Sequence, residues 1–147
     1  MRFDVVVNMF VLQAFKLNKI IVFGGEQIRP NIHIEDLTSV YMHFLGKSRI
    51  KSGIFNAGFE NISVMDIAQM VQKIYSVEIE TKPSNDPRSY RQDSKKLVNT
   101  GFVPKKSVLD AIIEVSANLE NGTIKDDERW HTLKWMSKQK IGLLWRH

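Results

Sequence analysis

The apolar residues of this chain switch repeatedly between two periods, with glycine or proline at several of the switches. That alternation constrains the fold more than any other feature, because helical spacing and short β-branched runs cannot exchange roles. Residues 3–16 carry Val5, Val6, Met9, Phe10, Leu12, Ala14 and Phe15, the pattern of a helix buried on most of its surface, with Asp4 near its N-terminus. Ile20-Ile21-Val22-Phe23 is a β-branched and aromatic run ended by Gly24-Gly25, which predicts a strand. Asn31-Ile32-His33-Ile34, after Pro30, predicts a second short strand. Residues 36–45 return to helical spacing with Leu37, Val40, Tyr41, Phe44 and Leu45. Residues 53–58, GIFNAG, predict a strand running into a turn.

The second half continues in the same way. Ser63 with Asp66 is close to a capping box, and the helix it opens buries Val64, Ile67, Ala68, Val71 and Ile74. Residues 77–82 alternate and predict a strand with one wet face. Residues 83–87 predict a loop. Asp93 is placed to cap a short helix over 94–99 that Gly101 ends, and Ser107 to cap a longer one ended by Asn121-Gly122. Its apolar face is Val108, Leu109, Ile112, Ile113 and Leu119. The expected fold is a mixed α/β domain of helices and short strands in small sheets, with about five helices.

A chain of 147 residues is long enough for one ordinary domain with a sizeable core. It has no cysteine, which excludes a disulfide framework and thiolate chemistry and suits a cytoplasmic location. Asp4 and Asn8 interrupt the first apolar run, so it is not read as a signal peptide, and no apolar stretch approaches the roughly 20 residues that span a bilayer. The four histidines have no spacing that suggests a metal site. Net charge is +5 and uneven: residues 1–122 hold 15 basic against 13 acidic side chains, and residues 123–147 hold 6 against 3. The second segment also contains His131, His147, Trp130, Trp135 and Trp145. Two readings follow: an arm for nucleic acid or an anionic membrane, or an amphipathic helix docked on its own domain. Docking is preferred, because Asp126, Asp127 and Glu128 would repel a phosphate backbone.

Several segments carry a family resemblance. Residues 24–37, GGEQIRPNIHIEDL, contain Arg29, His33 and Asp36 in the spacing R-x-x-x-H-x-x-D. Upstream lie a helix holding Asn8 and a strand ending Phe23-Gly24. Downstream lie a strand ending Phe55-Asn56-Ala57-Gly58, a Ser-capped helix, and Asp93-Ser94-Lys95-Lys96 followed by Gly101-Phe102-Val103-Pro104. In this order the segments resemble the C-terminal, substrate-binding part of the extended short-chain dehydrogenase/reductases, the NAD-dependent nucleotide-sugar epimerases and dehydratases. The resemblance runs from Phe3 to about Val115.

It implies a site for a nucleotide diphosphate sugar. Asn8 and the neighbouring Met9 backbone would contact the diphosphate; otherwise Asn8 caps a turn or faces solvent. Ile21 and Phe23 would meet the base through their backbone, or are plain core. Arg29 would grip phosphate through its planar fork; its alternative is an ion pair with Glu26 or Asp36. His33 is a structural, hydrogen-bonded residue on this reading. Asp36 caps the next helix and orients His33 or Arg29. Asn56 lines the cleft or fixes a turn. Many relatives carry a further phosphate-binding arginine where this chain reads Lys82-Pro83-Ser84-Asn85-Asp86, without one. Arg88 and Arg91, in a string similar to one found in some relatives, are the replacements, with Lys82 a third candidate. Residues 1–122 would form the substrate domain and 123–147 a basic, docked tail.

The family's chemistry is hydride exchange with NAD(P) beside a Tyr-x-x-x-Lys pair. Tyr41, Tyr75 and Tyr90 have no lysine four residues on, and no Gly-rich dinucleotide fingerprint is present. NAD(P) is therefore expected in a parent enzyme and not on this chain alone, which is expected to be inactive without an N-terminal Rossmann half. The chain is then a fragment, a truncated product, or a stand-alone nucleotide-binding or interaction module. An apolar face left by the missing half would favour self-association.

Overall fold

The computed structural model describes residues 2–45, 50–86 and 88–139. Val5 is extended, and helix α1 (Val6–Leu17) begins after it; Asn18, at φ 53°, ends it in the left-handed conformation. That reversal sends the chain directly into β1 (Lys19–Phe23). Gly24 and Gly25, both at positive φ, turn it into β2 (Ile28–Asn31). Then follow α2 (Ile34–Leu45), β3 (Glu60–Ser63), α3 (Val64–Tyr75), β4 (Glu78–Lys82), α4 (Lys95–Val98) and α5 (Val108–Glu120). A 3₁₀ turn (Glu128–Trp130) and α6 (Thr132–Lys138) complete the described chain.

The strands form two small sheets. β1 and β4 are parallel, with Ile20 opposite Ile79 and Phe23 opposite Lys82. β2 and β3 are antiparallel, with Arg29 opposite Ile62 and Asn31 opposite Glu60. The main core is made by α1, α3, α5 and β1: Phe10, Val11, Ile20, Val22, Ile67, Val71 and Ile112 are almost wholly buried, together with Phe3. A smaller cluster joins Val40, Leu97 and Phe102 to Phe44, Phe55 and Phe59. This is the mixed α/β fold with short strands that the alternation predicts.

Three local expectations need correction. The second strand lies earlier than 31–34: it ends at Asn31, and α2 starts at Ile34, two residues before the expected Asp36. Pro30 sits inside this strand, which its place in a two-stranded sheet allows. His33 is therefore not a strand residue; its carbonyl accepts from Leu37 N–H at the start of α2. Residues 53–58 form no strand, because side chains take their backbone groups. Ser94 Oγ accepts from Gly58 N–H (3.0 Å) and donates to Gly58 C=O (2.9 Å), while Lys96 Nζ donates to Ile54 C=O (2.8 Å). The ladder with β2 begins only at Glu60.

The serine caps of α3 and α5 are where the sequence puts them. Ser63 Oγ accepts from Asp66 N–H, and Ser107 with Asp110 forms a full capping box. Asp93 Oδ1 accepts from Lys95 N–H (2.8 Å) at the start of α4. Asp4 has a wider reach than a helix start: it accepts from Leu133 N–H (3.0 Å) and pairs with Arg2. Phe3 N–H donates to Trp130 C=O (2.8 Å), Lys16 pairs with Asp126 (2.5 Å), and Trp130 and Ile124 pack on the main core. Residues 124–133 are thus held to the helical face of the domain. Trp145 and His147 lie outside the described residues. Among the described residues, no helix is long and apolar enough to cross a membrane.

Candidate functional site

Arg29 stands in β2, after the Gly24-Gly25 turn, and its side chain is only 19% exposed. Its guanidinium has several partners. Nη1 donates to Arg88 C=O and to Ile28 C=O (3.1 Å), Nη2 donates to Asp86 Oδ2 (3.3 Å), and Cζ lies over the Tyr90 ring, 5.1 Å from its centroid. Backbone contacts pin the 88–90 segment to the start of β2: Ile28 N–H donates to Ser89 Oγ (3.0 Å), and Tyr90 N–H to Ile28 C=O (3.3 Å).

Arg88 comes to the same carboxylate. Its Nε and Nη2 donate to Asp86 Oδ1 and Oδ2, both at 2.7 Å, and its backbone N–H adds a bond to Oδ1 (3.1 Å). Two guanidinium groups therefore share one carboxylate. The Arg88 side chain, then its amide, hold the Asp86 carboxyl well below the usual carboxylate range, and Asp86 in turn raises Arg88. The expected partners of Arg29, Glu26 and Asp36, are replaced by Asp86. The D-x-R spacing signals the bond of Asp86 to Arg88, two residues on, but nothing local in the sequence signals Asp86, Ser89 or Tyr90 as partners of Arg29.

The other candidates fall elsewhere. Lys82 Nζ pairs with Glu80 (3.2 Å). Arg91 lines a separate depression with Gly58, Asn61 and Lys95. Asn8 lies inside the first turn of α1 and donates from Nδ2 to Arg2 C=O (2.7 Å). Met9 is partly buried against the main core. Ile21 N–H donates to Gln13 Oε1 (2.8 Å) and Phe23 C=O accepts from Gln27 Nε2 (2.8 Å), so part of the backbone expected to meet a base is already bonded internally. Asn56 donates to Asp93 C=O (3.2 Å), which is the turn-fixing alternative.

Asn8 and His33 meet at a second place, a cavity of about 660 Å³ whose walls include Val6, Ile32, Val108, Ala111 and Glu114 but not Arg29. The His33 ring is buried. Its Nδ1 accepts from Glu35 N–H (3.2 Å), so Nε2 carries the proton and faces Glu114 Oε2 (3.2 Å). His33, Glu35 and Glu114 bring possible ligand atoms within 4.8 Å of one another, a grouping that histidine spacing could not reveal. With Nδ1 used by an amide, this ring is set as a donor to Glu114 and not as a metal ligand. Asp36 orients neither His33 nor Arg29, and it does not cap α2. Its buried carboxylate accepts from Lys105 N–H (3.0 and 3.1 Å) and Lys106 N–H (3.0 Å).

Among the described residues, no glycine turn forms a dinucleotide cradle. The Gly24-Gly25 turn leads from β1 to β2 and not into a helix N-terminus, and Gly25 is closed by Gln27 and Met65.

No family model matches the chain. It is similar to GDP-L-fucose synthase 1 of Arabidopsis thaliana, with 25% identity over 100 residues, 64% of this chain and 31% of that protein. Among solved structures it is similar to UDP-glucuronic acid 4-epimerase from Bacillus cereus, at TM-score 0.71 and 20% identity over 82% of this chain and 41% of the other. It also resembles the UDP-Glc/GlcNAc 4-epimerase of Campylobacter jejuni (TM-score 0.62, 23% identity, 80% and 40%). A third is dTDP-glucose 4,6-dehydratase of Bacillus anthracis (TM-score 0.70, 20% identity, 88% and 42%). The chain thus spans about two fifths of these structures and less of the curated relative. Over that span it has the fold of the C-terminal part of the extended short-chain dehydrogenase/reductases, as seen in NAD-dependent nucleotide-sugar epimerases and dehydratases.

Proposed function

We propose that this chain is the sugar-nucleotide-binding part of an NAD-dependent nucleotide-sugar epimerase or dehydratase, with Arg29 and Arg88 as its phosphate ligands. The observation that carries this reading is the convergence of the two guanidinium groups on one carboxylate. A pair of forks held by a packed strand and a pinned loop suits the oxygens of a diphosphate. The other candidates stand apart from the two arginines: Asn8 lines the separate cavity, Met9, Ile21 and Phe23 are engaged within the domain, Asn56 fixes a turn, and His33 and Asp36 support the scaffold. Hydride chemistry and NAD(P) belong to a Rossmann half outside this chain, so the chain alone binds without turnover. The same reading, with the absence of cysteine from the sequence, suits the cytoplasm.

The test is titration calorimetry of UDP-, GDP- and dTDP-sugars into the chain. Arg29→Lys should weaken binding by about 1–3 kcal/mol, because lysine keeps the charge and loses the fork. Equal affinity of the two proteins removes Arg29 from the site. A second reading, a non-catalytic interaction module, is favoured by one feature. Helix α2 leaves Ile34, Tyr41, Met42 and Leu45 well exposed. Concentration-dependent sedimentation, lost on Tyr41→Ser with Leu45→Ser, would support self-association there.

A further inference from the structure

Asp86 occupies the place between the two arginines, and it is part of the chain. Four N–H groups point at its carboxylate: Nη2 of Arg29, and Nε, Nη2 and the backbone N–H of Arg88. Its own amide donates to Ser84 Oγ (3.1 Å), so a short polar turn presents the carboxylate to the clamp. The carboxylate is tethered two residues from Arg88, so its effective concentration at that guanidinium is on the order of millimolar or higher. Any external anion has to compete with it.

We propose that Asp86 is a built-in competitor for the anion site, displaced when a diphosphate binds. The inference rests on the phosphate-binding reading of Arg29 and Arg88. Three observations support it. First, Asp86 is about one third exposed, so its carboxylate lies where a ligand from solvent can reach the same donors. Second, Arg29 keeps other partners when Asp86 leaves: Arg88 C=O, Ile28 C=O and the face of Tyr90. Displacement therefore leaves Arg29 held in place, while the largely exposed Arg88 side chain, which Asp86 holds, can turn onto the ligand. Third, the charges do not balance. Two guanidinium groups face one carboxylate, which leaves a net positive charge that still attracts anions. A monoanion merely replaces Asp86, whereas a ligand with two or more negative charges neutralises the pair. The arrangement thus selects diphosphates over single-charged anions such as phosphodiesters.

The probe is inorganic pyrophosphate, titrated by calorimetry into the intact chain and three variants. Asp86→Asn keeps the size of the side chain and an oxygen for the Arg88 amide, and removes the competing charge. It should bind pyrophosphate about fivefold more tightly, the order of one exposed ion pair. Asp93→Asn removes the same charge outside the clamp and should bind as the parent chain does. Arg29→Ala should lose most of the affinity. Unchanged or weaker binding by Asp86→Asn, with binding still dependent on Arg29, overturns the competitor and leaves the phosphate site intact. Equal tightening by Asp93→Asn reassigns the effect to net charge and also overturns it. Binding indifferent to Arg29, or no binding by any of the four proteins, overturns both.

Discussion

Asp36 is 3% exposed and spends both carboxylate oxygens on the amides of Lys105 and Lys106, far along the chain. It straps the lead-in of α5 to the first turn of α2. Asp36→Ala leaves those amides without their charged acceptor and should cost about 2 kcal/mol, while Asp36→Asn, which retains one acceptor oxygen, should cost less. Urea unfolding of the two variants checks the order; equal losses would mean that the second oxygen carries nothing. The same residue shows where reading a sequence stops. Asp before a helical stripe is a local signal, and it gave a local role, the cap of α2. The true partners are two strands and two helices away along the chain. Arg29 repeats the lesson. The resemblance of its motif to the family's marked it as a candidate phosphate ligand, but its ion partner is Asp86, from a loop that no local pattern joins to β2.

At the scale of elements, what could be read locally came out well. The serine caps of α3 and α5 depend on residues three apart, and both form. Residues 53–58 look like a strand, yet the hydroxyl of Ser94 satisfies Gly58 in place of a neighbouring strand. Asp127 tests an element by pH. It caps the 3₁₀ turn Glu128–Trp130 and is held at about 2, against an ordinary 3.8, first by the Arg129 side chain and then by its amide. A carboxylate depressed in the folded state adds stability above its unfolded value. That contribution fades as pH falls from about 4 towards 2. Thermal melts of Asp127→Asn should therefore lose less stability than the parent chain between those values. Parallel acid limbs would show that the turn melts before the domain does.

At the scale of the whole molecule, the docking of residues 124–133 closes one side of the helical core. Removing residues 123–147 strips Trp130 and Ile124 from it, frees Phe3 N–H and Lys16, and takes the Leu133 amide from Asp4. The apolar burial alone makes a loss of about 2 kcal/mol the expected result, read by denaturant midpoint. Affinity for duplex DNA should stay at the non-specific background, about 10⁻⁴–10⁻⁶ M at physiological salt, with or without the segment. Sub-micromolar binding that disappears on truncation would instead make the segment a nucleic-acid arm. The alternation of periods made the fold class legible, while strand pairing was not, since β1 and β4 advertise no partner. Their pairing has a consequence in time. Residues 19–23 meet residues 78–82 side by side, and β2, α2, β3 and α3 all lie in the loop between them. Closing that loop sacrifices chain entropy before the ladder returns anything, whereas β2 and β3 close a shorter one. During refolding the helices should therefore collapse first and the parallel pair should zip last, setting the pace at which this chain reaches its native state.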